Sequence, residues 1–322
     1  MKALNLYLDC GEREMDRAIE VVGKARSDML THTLIDFLMG ERDGEPKDPN
    51  YIYRLYVSLG NYEQAASTSI LIARQERELG NYKVAHFSLY QTMHEMENAE
   101  VKVPSELRRA FLLLHSYVLV KKQVKMGNHT NAARMLIRVV DSLSEFPRHT
   151  VMILTTAVIE CYRSGMRKKA FEYASTLMRS EYRGDIPEKY RKKIESIVRK
   201  HKKDSEDPVE DSTFSPYDPT VRVPVTHLIC PTTQNDIPWC ICTGYHTVAN
   251  DFCVCPNTGM PAIYSEYVKW AETTGVDPVT EKPVRPEDIR KITDPTEFLA
   301  KWNRQAGEAA AAAAGEGTDE QP

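Results

Sequence analysis

Four turns written in one grammar divide the first two hundred residues, and they constrain the fold more than any other feature of the chain. Leu59-Gly60-Asn61-Tyr62 leads into Ala65-Ala66, and Leu79-Gly80-Asn81-Tyr82 leads into Ala85. Met126-Gly127-Asn128-His129 leads into Ala132-Ala133, and Ser164-Gly165-Met166-Arg167 leads into Ala170. Glycine takes the left-handed conformation that ends a helix. Asparagine tolerates the turn and is expected to cap the helix that follows. The small alanine lets that helix pack closely on the one before it. Gly60, Gly80, Gly127 and Gly165 are therefore expected at or beside interhelix turns.

Between the turns the apolar residues recur at helical spacing. Ala110, Leu113, Leu114, Tyr117 and Val118 form one stripe, Ala132, Ala133, Leu136, Ile137 and Val140 a second, and Val151, Leu154, Val158 and Ile159 a third. Leu-Gly-x-x-Tyr…Ala is the grammar of tetratricopeptide repeats. The glycines are 20, 47 and 38 residues apart, so the repeat is irregular and TPR-like. Residues 1–203 are predicted to be such an array, an α-solenoid whose stacked helices bury a continuous core and leave a groove. An ordinary globular helical domain is the alternative, and the four matching turns weigh against it.

Arg191, Lys192, Lys193, Arg199, Lys200, Lys202 and Lys203 make a basic stretch, read as a solvated last helix. Residues 204–222, rich in Asp, Glu, Ser and Pro, read as a linker. Residues 293–322 read as a helix end and an Ala/Gly/acidic tail, disordered from about Gln305. The net charge of -4 argues against a basic surface that grips nucleic acid. No run of apolar residues is long enough to span a membrane, and the first ten residues lack a signal-peptide pattern. A cytoplasmic setting is expected.

Five of the seven cysteines, Cys230, Cys240, Cys242, Cys253 and Cys255, fall within 26 residues. In a cytoplasmic chain such a cluster points to metal before disulfide. Residues 223–292 are thus predicted to be a small α+β module of zinc-ribbon or degenerate zinc-knuckle type. His227 and His246 join the five cysteines as usable ligands for tetrahedral Zn²⁺. Pro follows Cys230 and Cys255, as in a knuckle, but Thr233 and Thr258 stand where the second sulfur belongs. Asp277-Pro-Val-Thr280 and Ser215-Pro-Tyr-Asp218 read as the same unit with both sulfurs gone. A metal-free core packed by Trp239, Phe252, Tyr264 and Trp270 is the alternative.

Two segments carry a resemblance. They are Ile237-Pro-Trp-Cys-Ile-Cys-Thr-Gly-Tyr-His246 and Cys255-Pro-Asn-Thr-Gly-Met-Pro-Ala-Ile-Tyr-Ser-Glu266. With Tyr62-Glu-Gln-Ala-Ala66, Ala132-Ala-Arg-Met-Leu-Ile-Arg138 and Val158-Ile-Glu-Cys161, they resemble the C-terminal part of the WD-repeat subunits of the intraflagellar transport A complex. The resemblance covers roughly residues 50–270. Members of that family begin with two WD-repeat β-propellers, for which this sequence has no counterpart.

The resemblance implies a non-enzymatic structural subunit that supports retrograde transport and cargo entry in cilia or flagella. Its partners would be other complex A subunits and ciliary cargo adaptors, and its location the cilium and its base. It places Cys230, Cys240, His246 and Cys255 at metal-type positions, enough for one structural Zn²⁺, with Cys242 and Cys253 weaker candidates. The departures at Ser215, Asp218, Thr233, Thr258, Asp277 and Thr280 fall on knuckle cysteines of the family. No phosphate-cradling glycine loop or nucleophile signature argues for catalysis. Two other readings share the outline. One is a degenerate RING or U-box ubiquitin ligase, which needs eight ligands; the other is an endosomal vesicle-tethering subunit.

Overall fold

The computed structural model describes residues 2–42, 44–200 and 206–303. Contacts divide the chain into two compact units, residues 1–111 and 112–322. The chain is mostly helical, with fourteen α-helices and five short strands among the described residues.

The first unit holds α1 (Lys2–Asp9), α2 (Met15–Ala25), α3 (Asp28–Leu38), α4 (Pro49–Leu59), α5 (Tyr62–Leu79) and α6 (Tyr82–Asn98). Its core gathers Met15, Ala18, Val22, Leu34, Leu38 and Leu55. Asp48 starts α4 by accepting from the Asn50 amide at 2.9 Å, with Pro49 at the first helical position. Helix α7 (Ser105–Lys125) begins here and runs into the second unit. There α8 (His129–Asp141), α9 (Thr150–Arg163), α10 (Arg167–Leu177), α11 (Ser180–Arg183) and α12 (Glu188–Lys200) follow.

The four glycines sit at the turns. Gly60, Gly80, Gly127 and Gly165 have φ of 74°, 88°, 78° and 81°, the left-handed values that end a helix without a Cβ clash. Ala65, Ala66, Ala85, Ala132, Ala133 and Ala170 are all buried, so the helices on either side of each turn approach closely. The asparagines behave less uniformly than expected. Asn61 accepts from the Gln64 amide at 3.5 Å, a long cap. Asn81 and Asn128 make no cap; each donates five residues back, to Glu76 at 2.8 Å and to Gln123 at 3.0 Å.

Helix α7 also departs from its stripe. Of Ala110, Leu113, Leu114, Tyr117 and Val118 only Leu114 is buried, whereas Leu112, His115, Ser116, Leu119, Val120 and Gln123 are. Between Phe111 and Val120 apolar residues fill most positions, so the spacing alone did not select the face. On α12, Lys192, Lys193, Arg199 and Lys200 are exposed as expected, while Lys202 and Lys203 lie outside the described residues.

Part of the stretch read as a linker is structured. β1 (Ser212–Phe214) pairs antiparallel with β2 (Arg222–Pro224), and Asp207 accepts from the Lys168 and Lys169 amides at the start of α10. A second sheet has the order β4 (Pro261–Ile263), β3 (Phe252–Val254), β5 (Lys291–Ile292); α13 (Tyr264–Thr274) connects β4 to β5 in the chain, and α14 (Thr296–Asn303) follows β5. The tail beyond Asn303 lies outside the described residues.

Candidate interaction site

Four six-residue turns of one construction organise residues 230–282. They begin at Cys230, Cys240, Cys255 and Asp277. In each, the first amide donates to the sixth carbonyl: Cys230 to Asn235 at 3.0 Å, Cys240 to Tyr245 at 2.7 Å, Cys255 to Met260 and Asp277 to Lys282 at 2.8 Å. The fifth amide donates back to the first carbonyl at 2.7–3.1 Å. The fifth residue is therefore left-handed: Gln234, Gly244, Gly259 and Glu281 have φ of 57°, 69°, 70° and 56°.

The turn at Cys240 is pressed against α7 and α8. His115 donates from Nε2 to the Ile241 carbonyl at 2.6 Å, and Gln123 donates to the Cys242 carbonyl at 2.7 Å. Arg138 donates to the Gly244 carbonyl and to Ser116 Oγ, each at 2.9 Å. Tyr245 reaches Asn131 at 2.6 Å, and Arg134 lies over its ring at 5.2 Å. Three carbonyls of one turn, those of Ile241, Cys242 and Gly244, thus meet three side chains spaced along two helices. Gln123 is itself held by Asn128, so the interhelix turn at Gly127-Asn128 orients the group that grips the module.

Electrostatics favour the arrangement. Burial pushes the His115 imidazole down to about 4, helped by the charges of Lys122 and Arg138. The ring is neutral at physiological pH, with its proton on Nε2 to serve the Ile241 carbonyl. Burial also lowers Arg138 to about 10, which leaves it charged and its bond to the Gly244 carbonyl charge-assisted. Lys122 and Glu281 add an ion pair at 3.0 Å near the surface, worth little by itself.

The expected metal ligands divide among separate surroundings. Cys230 packs with Val223 and Ile237 and accepts from Ser215 Oγ at 3.3 Å. His246 is buried with both ring nitrogens occupied: Nε2 lies 3.0 Å from Thr213 Oγ1 and 3.2 Å from the Val223 carbonyl, and Nδ1 3.1 Å from the Thr247 carbonyl. Cys240 stands beside Cys242 and Thr243, and Cys255 is buried beside Tyr267.

Burial raises the thiols of Cys242 and Cys255, and that of Cys253 to about 12, so they rest as neutral thiols in these surroundings. At Cys240 burial acts upward too, but hydrogen bonds from Cys242 and Thr243 outweigh it and bring the thiol to about 7. Cys230 also ends at about 7, where bonds from Ser215 and Thr233 outweigh burial. These two thiols stand in different clusters. Cys230, Cys240, His246 and Cys255 do not converge, and among the described residues no group of three or more His, Cys, Asp or Glu is placed to hold a metal ion. The residues present do not fit a tetrahedral zinc centre.

Sequence reasoning passed over the docking residues. His115 and Ser116 interrupt the apolar run from Phe111 to Val120, and that polarity was the available signal. The turn at Cys240 was missed as a knuckle-type unit because Ile241, where the others carry Pro, breaks the pattern.

No protein-family model matches the chain. Over 302 residues, 92% of its length, the chain is 43% identical to WD repeat-containing protein 19 of mouse and of human. This chain resembles the C-terminal part of WD repeat-containing protein 19. WD repeat-containing protein dyf-2 of Caenorhabditis elegans is 37% identical over 269 residues. The chain spans about a fifth of the length of these relatives, 22% and 19%. The similarity to WD repeat-containing protein 19 is long enough to take in both the helical repeats and most of the cysteine-rich module. No described helix is long and apolar enough to cross a membrane.

Proposed function

We propose that this chain is a structural adaptor piece of the intraflagellar transport A complex, acting through protein–protein contacts in retrograde transport and in cargo entry to cilia or flagella. The observation that carries this reading is the 43% identity to WD repeat-containing protein 19 over 92% of the chain. A helix array of TPR-like type, ending in a degenerate zinc-knuckle module, suits the role. Stacked repeats present long surfaces to partners. A non-enzymatic chain is the reading these features support. Its partners would be other complex A subunits and ciliary cargo adaptors, and it would reside at the cilium and its base.

Affinity purification of the tagged chain from a ciliated cell tests this. Recovery of complex A subunits is the expected result. Recovery of endosomal tethering proteins in their place would overturn it.

A further inference from the structure

A zinc knuckle is closed by two ligands three residues apart. In the turns at residues 230, 240, 255 and 277 the fourth residue is threonine every time: Thr233, Thr243, Thr258 and Thr280. Threonine is not a zinc ligand. It is the right size, however, to bond within the turn. The threonine Oγ1 accepts from the sixth amide in each: from Asn235 at 3.4 Å, Tyr245 and Met260 at 3.3 Å, and Lys282 at 3.5 Å. In the last turn Thr280 also donates to Asp277 Oδ1 at 3.1 Å, linking the first and fourth positions that a metal would otherwise join. Asp277 Oδ1 further accepts from the amides of Val279 and Thr280 at 2.9 Å, and Oδ2 from Tyr267 at 3.3 Å.

Each threonine bond is long and individually weak. Its recurrence in four turns that already share two backbone bonds and a left-handed fifth residue makes it a design of the chain. Thr243, Thr258 and Asp277 are buried, where an unsatisfied hydroxyl or carboxylate would be costly and a satisfied one specifies the turn.

We propose that this module folds without metal, each of its four turns being closed by a threonine hydroxyl in place of the second sulfur of a knuckle. The cysteines are then buried core side chains, with Cys230 accepting from Ser215 Oγ. The carbonyls of the turn at Cys240 are left to fasten the module to α7 and α8. This rests on turn geometry alone and is independent of which complex the chain joins.

The test uses the full chain, expressed and purified with zinc present. Elemental analysis should find under about 0.1 zinc per chain, with a melting temperature unmoved by a strong chelator. Thr258→Val should lower the melting temperature by about 2–4 °C, the shift expected from one lost hydrogen bond in a unit of this size. Thr258→Ser, which keeps the hydroxyl, should stay closer to the parent chain. Thr280→Val, at a half-buried position, serves in the same way where Thr258→Val does not fold. One zinc per chain with unfolding on chelation would overturn the proposal. A zinc-free chain whose valine variants melt with the parent would overturn the role of the hydroxyls.

Discussion

Gly244→Ala should destabilise the second unit well beyond the cost of its backbone. Gly244 has φ of 69°, and a left-handed conformation costs an alanine about 1–2 kcal/mol. A Cβ there would also lie 2.6 Å from Arg138 Nη1. The guanidinium is the end of a flexible side chain, but it is bonded to both the Gly244 carbonyl and Ser116, so moving it forfeits a charge-assisted bond worth about 1.5–3 kcal/mol. The total is about 2.5–5 kcal/mol.

The turn at Cys255 supplies the control. Gly259 occupies the equivalent position with φ of 70° and nothing within 4 Å of its Cβ, so Gly259→Ala should cost only the backbone share, about 1–2 kcal/mol. Trp239 and Trp270 lie in the module and the third tryptophan, Trp302, in α14 just after it, so urea unfolding followed by tryptophan fluorescence reports on this region. In an Arg138→Met background the Gly244→Ala penalty should fall to that of Gly259→Ala. Equal penalties for the two glycine variants in the parent chain would show that Arg138 does not hold this turn.

His115 makes stability depend on pH. Its folded value of about 4 lies below the unfolded value of 6.5, so the unfolded chain binds the extra proton between them. Stability from the neutral ring is complete above about pH 6.5 and is lost as pH falls toward 4, by up to about 3 kcal/mol. Urea titrations of the parent and of His115→Gln across that window should show the excess slope only in the parent. Gln234→Gly should raise the melting temperature by about 1–3 °C, because Gln234 is the exposed left-handed residue of its turn and glycine removes that strain; calorimetry of the full chain measures it.

The helical half was legible because its signals are local. Glycine at a helix end and alanine just beyond the turn each have one physical use, and Gly60 through Gly165 are found in it. Asn81 and Asn128 were misread as caps because an amide side chain bonds backward as readily as forward. Between Phe111 and Val120 the apolar residues surround α7, so periodicity could not tell which face the module covers. Asp207 and the residues of β1 looked like linker by composition, yet their bonding partners lie at the start of α10 and on β2, far along the chain. At the turns, the threonines were visible in the sequence but were counted as lost ligands. Their use as acceptors depends on the left-handed fifth residue, which nothing in Gln234 or Glu281 announces. His246 drew attention as a ligand, whereas Thr213 and Val223 take up its Nε2 and the Thr247 carbonyl its Nδ1.

Native-state hydrogen exchange on the full chain tests most directly whether the turn at Cys240 fastens the module to the helices. The hydrogen bonds from His115, Gln123 and Arg138 predict that the amides of Cys240, Gly244 and Thr247 exchange with the same opening free energy as those of α8, as one cooperative unit. Exchange of those module amides through a separate opening, at lower free energy than α8, would contradict it.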